Sequence, residues 1–88
     1  MTAHRVDTNQ AGIVAALRAA GCTVECLHAV GGGVPDLLVG TPDGRNLLLE
    51  VKSAAGRLTV HQRIWHRNWQ GQVAVVRDVE EAMAAVGA

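Results

Sequence analysis

The sequence predicts an α/β fold in the order αβββαβα, a mixed sheet flanked by helices. Three observations carry that prediction. Stretches with helically spaced apolar residues and a glycine after them alternate with short apolar runs of strand length. The second and third runs are joined by the turn-type residues Thr41-Pro42-Asp43-Gly44, as in a hairpin. The alternation covers all 88 residues without a repeat, linker or low-complexity tract, so residues 1–88 form a single domain.

The elements follow in order. Asp7 is a candidate N-cap with Gln10 three residues on; Ile13, Val14 and Leu17 share a face, and Gly21 stops the helix. "CTVECLHAV" alternates loosely as a strand, "GGG" breaks it, and "VPDLLVG" resumes with Pro35 near a strand start, where its missing donor is tolerated. Residues 34–39 and 47–52 form the antiparallel pair across the turn. Thr59 and Gln62 form a capping box for a second helix that Gly71 ends. "QVAVVR" is a fourth strand, and "DVEEAMAAVG" a third helix opened by an Asp-x-x-Glu box.

Composition narrows the function classes. Hydrophobic residues make up 49% of the chain, yet its only aromatics are two Trp, so the core is Ala, Val and Leu. No window approaches a membrane span of ~18 apolar residues. The polar start "MTAHRVDTNQ" lacks the apolar region of a signal peptide, so the expected location is cytoplasmic. Cys22 and Cys26 lie four apart in a strand, roughly 13 Å at the usual rise, too far for a mutual disulfide. Formal net charge is zero, but its distribution is uneven. From Val51 to Arg77 lie Lys52, Arg57, Arg63, Arg67, Arg77, His61 and His66 and no acid, and Asp78, Glu80 and Glu81 follow.

Chemistry enters where "LLLEVKS" departs from an aliphatic strand. Alternation sends Leu47, Leu49 and Val51 to the core and Glu50 and Lys52 to the opposite face, at a strand end where open sheets carry ligands. Alone, Glu50 and Lys52 read as an ordinary surface ion pair. Asp36 alters that reading, because the preceding strand places it beside Glu50. Two converging carboxylates repel unless a cation lies between them, and their hard oxygens suit Mg²⁺ or Mn²⁺. An ammonium beside such an ion can orient water and stabilise charge on a pentavalent phosphorus. Asp36, Glu50 and Lys52 thus form a kit for phosphodiester hydrolysis.

Other combinations carry less. Cys22, Cys26 and His28, with His61 or His66, lack the tight turn of a zinc knuckle. "GGGVPD" has no Gly-Lys-Ser/Thr of a phosphate loop; its glycines let the chain cross closely over the site mouth. Trp65 and Trp69, four apart on one helical face, pack against the sheet or a second subunit, or stack on unpaired bases.

"GGGVPDLLVG", "LLLEVKS", "GRLTVHQRIWHRNWQGQVAVV" and "VEEAM" together resemble the virus-type replication-repair nucleases (VRR-NUC), a branch of the PD-(D/E)XK superfamily, from about Asp7 to Met83. The resemblance implies a restriction-endonuclease-like core and metal-dependent DNA cleavage. It implies Asp36 and Glu50 as metal ligands, the Val51 carbonyl as a third, and Lys52 as the catalytic lysine. Gln62 lies where the family places a glutamine near the scissile phosphate, and it is equally the N3 residue of a capping box. Such nucleases often carry an acid on the first helix. Here Gln10 stands at that position, with Asp7 three residues earlier as either a helix cap or a further ligand.

These readings converge on a Mg²⁺-dependent DNA endonuclease, with Mn²⁺ as a substitute, acting on branched DNA such as Holliday junctions in replication, recombination or repair. Arg57, His61, Arg63 and Arg67 would contact phosphates without reading sequence. A chain this small is expected to act as a homodimer. The alternative is a non-catalytic DNA-binding or assembly subunit with a nuclease-like fold, favoured only by Gln10. A sequence-specific restriction enzyme ranks last, since the chain is short for a recognition subdomain.

Overall fold

A four-stranded sheet in the order β1-β2-β3-β4 organises the computed structural model, which describes residues 9–88. Along the chain run α1 (Gln10–Ala19), β1 (Thr23–Cys26), β2 (Leu37–Gly40), β3 (Asn46–Val51), α2 (Val60–Asn68), β4 (Val73–Val76) and α3 (Val79–Val86). This is the expected αβββαβα order. β1, β2 and β3 are antiparallel neighbours, and β4 lies parallel to β3. Parallel neighbours cannot be joined by a tight turn, so the chain crosses over through α2.

Local chemistry explains where the elements stop. Gly21 ends α1 with φ +93°, and Gly44 (φ +95°) closes the 41–44 turn, where its N–H donates to the Thr41 carbonyl at 2.9 Å. β2 starts at Leu37 rather than at residue 34, because Pro35 has no N–H for the ladder and the Asp36 side chain turns to cap Val51 instead. α1 starts at Gln10, with Asn9 at the N-cap position and no side-chain cap there, so Gln10 is the first helical residue and not the N3 of a box. Asp7 lies outside the described residues. α2 has the complete Thr59/Gln62 box. α3 has half of one: the Asp78 side chain accepts from Glu81 N, but the Glu81 carboxylate reaches past the N-cap to the Arg77 N–H at 2.8 Å. Gly71 does not end α2 through a left-handed turn. A β-carbon there would lie 2.8 Å from the Trp69 indole nitrogen, so a side chain at this position would have to move the half-exposed ring aside.

The two faces of the sheet differ. One carries Leu37, Val39, Leu47, Leu49, Val51 and Val76, all buried, under Ile13, Val14 and Leu17 of α1 and Ala82 and Val86 of α3. On the other face α2 packs with none of its own residues buried. There β3 presents Leu48 and Glu50, and its register pairs them with Val73 and Val75. No helix of the described residues is long and apolar enough to cross a membrane.

Candidate active site

The site forms where the β2 and β3 ladders end. Leu37 pairs with Leu49, so the next residue back on β2, Asp36, falls opposite Glu50. One Asp36 carboxylate oxygen accepts the Val51 N–H at 2.8 Å, which ties the acid to the end of β3. A strand residue's carbonyl points to the same side as its own N–H, so the Val51 carbonyl is directed toward Asp36 as well.

Glu50 is 1% exposed, which is unusual for a carboxylate. Its Oε2 accepts from Gln62 Nε2 at 3.2 Å and lies 3.8 Å from Lys52 Nζ. Its Oε1 is buried with no hydrogen-bond partner among the described residues. Burial first, then the charge of Asp36, push the Glu50 carboxyl up to about 8. Lys52 pulls the other way, but at 3.8 Å it is beyond hydrogen-bond range and does not offset burial. Without a metal, burial and the neighbouring Asp36 thus favour the protonated form of Glu50, which weakens its contact with Lys52.

Gln62 reconciles its two sequence readings. Its Oε1 accepts the Thr59 N–H at 2.9 Å, completing the capping box, and that orientation turns Nε2 toward Glu50. One amide starts the helix and joins the site. One turn further along α2, His66 has its Nε2 buried without a hydrogen-bond partner among the described residues. Burial and then the Lys52 charge hold His66 below the usual imidazole range, so it is neutral at pH 7.

Above these groups lies a cleft of about 450 Å³ walled by the 31–33 glycines, Asp36, His61 and Gln62. At Gly33 (φ +88°) a β-carbon would sit 2.6 Å from the His61 carbonyl oxygen. The glycine loop therefore runs against the first turn of α2, as expected of a chain crossing the site mouth. Glu50 is not on the cleft wall, but it is bonded to Gln62, which is.

The four expected DNA contacts are all exposed. His61, Arg63 and Arg67 are exposed on α2, and Arg57 is exposed on the loop before it. Arg77, counted with the basic stretch, is taken up internally: its Nη1 donates to the Ser53 and Gly56 carbonyls at 2.6 and 2.7 Å. That bond fixes the loop directly after Lys52. Gln10 is buried at 5% exposure in the first turn of α1. Sequence reasoning missed Asn9, whose Nδ2 donates to the Lys52 carbonyl at 3.3 Å and the Arg77 carbonyl at 3.0 Å. Those partners are 43 and 68 residues away, and no local pattern marks them.

Among the described residues no group of three or more His, Cys, Asp and Glu could hold a metal, so the cysteine-histidine arrangement does not assemble. Both cysteines are free, Cys22 buried and Cys26 exposed. What the site offers a cation is a hard oxygen set, Asp36 and Glu50 with the Val51 carbonyl, and the orphaned Glu50 Oε1 fits such an ion.

Comparison with known proteins agrees with this architecture. The model of the VRR-NUC domain family matches residues 2–86. A solved structure described as a VRR_NUC domain superposes with a TM-score of 0.75 at 26% identity, covering 91% of each chain. No curated protein matches. A family match over nearly the full length, joined to a shared fold, makes the chain a member of the VRR-NUC family of nuclease domains.

Proposed function

We propose that the protein is a Mg²⁺-dependent DNA endonuclease selective for branched substrates such as four-way junctions, acting as a homodimer. The observation that carries this reading is the buried Glu50 carboxyl, with one oxygen unpartnered among the described residues, beside Asp36 and 3.8 Å from Lys52. Burying two repelling carboxylates is costly unless a cation is to be bound. Domains of this nuclease superfamily generally use divalent metals.

Asp36, Glu50 and the Val51 carbonyl would hold the ion. When bound, it would supply Lewis-acid polarisation of the phosphate and a lowered pKa for water. The chain's own groups do the rest. Glu50 releases its proton as the site fills, and its negative charge then strengthens the hold on Lys52. Lys52, 17% exposed, would stabilise the charge that gathers on a phosphate oxygen. Gln62 donates to Glu50 and is itself on the cleft wall. His61 is on the cleft wall, and Arg57, Arg63 and Arg67, exposed on α2 and the loop before it, would attract the backbone without reading bases. Lacking a groove-reading element, such a site distinguishes DNA by shape. Among the described residues β1 and β4 are the edge strands, and with the exposed Val30 and Val79 they would offer surface to a second copy.

The test is incubation of supercoiled plasmid and of a synthetic four-way junction with Mg²⁺, Mn²⁺ or EDTA. Metal-dependent cuts that Lys52→Ala abolishes, with the junction preferred, support the proposal. Gln10, an amide on a first helix where an acid would extend the ligand set, favours the second reading, a binding subunit without turnover. Tight junction binding without cuts in any metal would establish that reading.

A further inference from the structure

The side of α2 that supplies Gln62 to the site carries His66 four residues on, so the two side chains stand on one face of the helix. The Nε2 of His66 is buried and has no hydrogen-bond partner among the described residues. The Trp65 ring packs edge to face against the imidazole, with 6.0 Å between centroids. Buried polar atoms in native proteins are nearly always paired, because an unpaired one has lost its water for nothing. Burial, and then the charge of Lys52, favour the neutral imidazole, whose second nitrogen keeps a lone pair. Lys52 has the opposite shortage. Its ammonium has three donors and makes no hydrogen bond among the described residues, and its contact with Glu50 Oε2, at 3.8 Å, is beyond that range. An unused acceptor and unused donors thus belong to one cluster, Glu50, Lys52, Gln62 and His66. Glu50 Oε1 is no rival partner for the imidazole: it and His66 Nε2 are both unbonded, so they do not meet.

We infer that His66 is a positioning residue for Lys52: in the working site its Nε2 lone pair accepts from the ammonium, with the ring proton on Nδ1. Glu50, once ionised, takes a second N–H and a phosphate oxygen the third, so every donor of Lys52 is used. Lysine is a point charge on a flexible stem, and holding it on two sides aims it before the reaction begins. A buried water on Nε2 is the competing occupant, and it would leave cleavage indifferent to residue 66. The inference rests on the proposed nuclease function for the task of Lys52, and it adds a residue to the set of Asp36, Glu50, Lys52 and Gln62.

The experiment follows the ring nitrogens of His66 in the full chain by ¹⁵N NMR as Mg²⁺ is added, and measures junction cleavage by variants with enzyme in excess. Nε2 should be unprotonated throughout, and its resonance should move with Mg²⁺ in the native chain but not in Lys52→Ala. His66→Leu should lower kcat about tenfold with KM for DNA unchanged, the loss expected of one hydrogen bond to a charged group. His66→Gln, whose amide oxygen reaches about as far as Nε2, should retain most of the rate. Added to Lys52→Ala, His66→Leu should cost nothing further, since it acts through the lysine. Circular dichroism separates a lost contact from lost folding, and the NMR titration of the native chain judges the contact even where a variant does not fold. A proton on Nε2, a His66 signal that ignores Mg²⁺ while the Val51 amide responds, full kcat in a folded His66→Leu, or additive losses in the double variant overturns the inference. A Val51 amide indifferent to Mg²⁺, with no cleavage in any metal, instead counts against the nuclease reading, and the inference falls with it.

Discussion

The two faces of one sheet do different work. Under α1 and α3 the face is dry and aliphatic, with Leu37, Val39 and Leu49 at 0% exposure. Under α2 the same strands present Glu50, and the helix above buries nothing of its own, contributing Gln62, Trp65 and His66 at intermediate exposure. Strand alternation makes this division possible: adjacent residues of β3, Leu49 and Glu50, belong to opposite halves of the molecule. The lesson is that stability is concentrated where α1 and α3 pack, which leaves the α2 face free to hold a carboxyl cluster that works against folding.

Substitutions on neighbouring residues can break or sharpen that contrast. The largest effect is expected at Lys52→Ala, which should lower metal-dependent cleavage by at least about a hundredfold, the loss typical of removing one preorganised charge stabiliser. Its thermal midpoint should stay close to that of the native chain. Leu49→Ala should do the reverse. It should cost about 2–5 kcal/mol, a large share of what so small a domain possesses, while cleavage per folded molecule is retained. Urea unfolding beside a cleavage assay measures both, and a Lys52→Ala chain as unstable as Leu49→Ala would blur the division.

A pH effect of intermediate size comes next. Glu50 is raised in the folded state to about 8 from an ordinary 4.5, so the folded chain binds its proton more tightly than the unfolded chain does. The stability this contributes is complete below about 4.5 and is lost as pH rises through 8. The metal-free thermal midpoint should therefore fall between pH 6 and pH 8.5, values that lie on the slope of that loss. Glu50→Gln should flatten the dependence, and Mg²⁺ should oppose it, since the ion binds the deprotonated form. A metal-free midpoint independent of pH would contradict the burial seen here.

The smallest effect separates the two duties of Gln62. Gln62→Ala should cost about 1 kcal/mol for its half of the capping box. Gln62→Glu keeps the box acceptor but adds a third carboxyl beside Glu50 and Asp36. It should destabilise the metal-free chain and recover with millimolar Mg²⁺, as read by melting with and without the ion. No recovery would reduce Gln62 to a helix cap.

Much of this contrast was legible in the sequence, for local reasons. Period-two alternation placed Leu49 and Glu50 on opposite faces, the Thr59-x-x-Gln62 spacing placed the second helix, and turn chemistry paired β2 with β3. The rest depends on distance. Nothing near Asn9 or Arg77 in the chain reveals that they tie the ends of β3 and β4 and the loop after Lys52. The cap assigned from Asp78-x-x-Glu81 was half right because Glu81 found the Arg77 N–H one residue further back, a choice set by backbone geometry. Gly71 reads as a helix stop in the sequence but has no left-handed backbone and runs close to the Trp69 ring.

The claim beneath all of this is that Asp36 and Glu50 grip one divalent ion. Crystals soaked in Mn²⁺ test it most directly through anomalous scattering. The account predicts a single peak within about 2.3 Å of an oxygen from each carboxylate and from the Val51 carbonyl, as hard-cation coordination demands. Saturating Mn²⁺ with no peak between the two acids, in crystals with and without DNA, would contradict it.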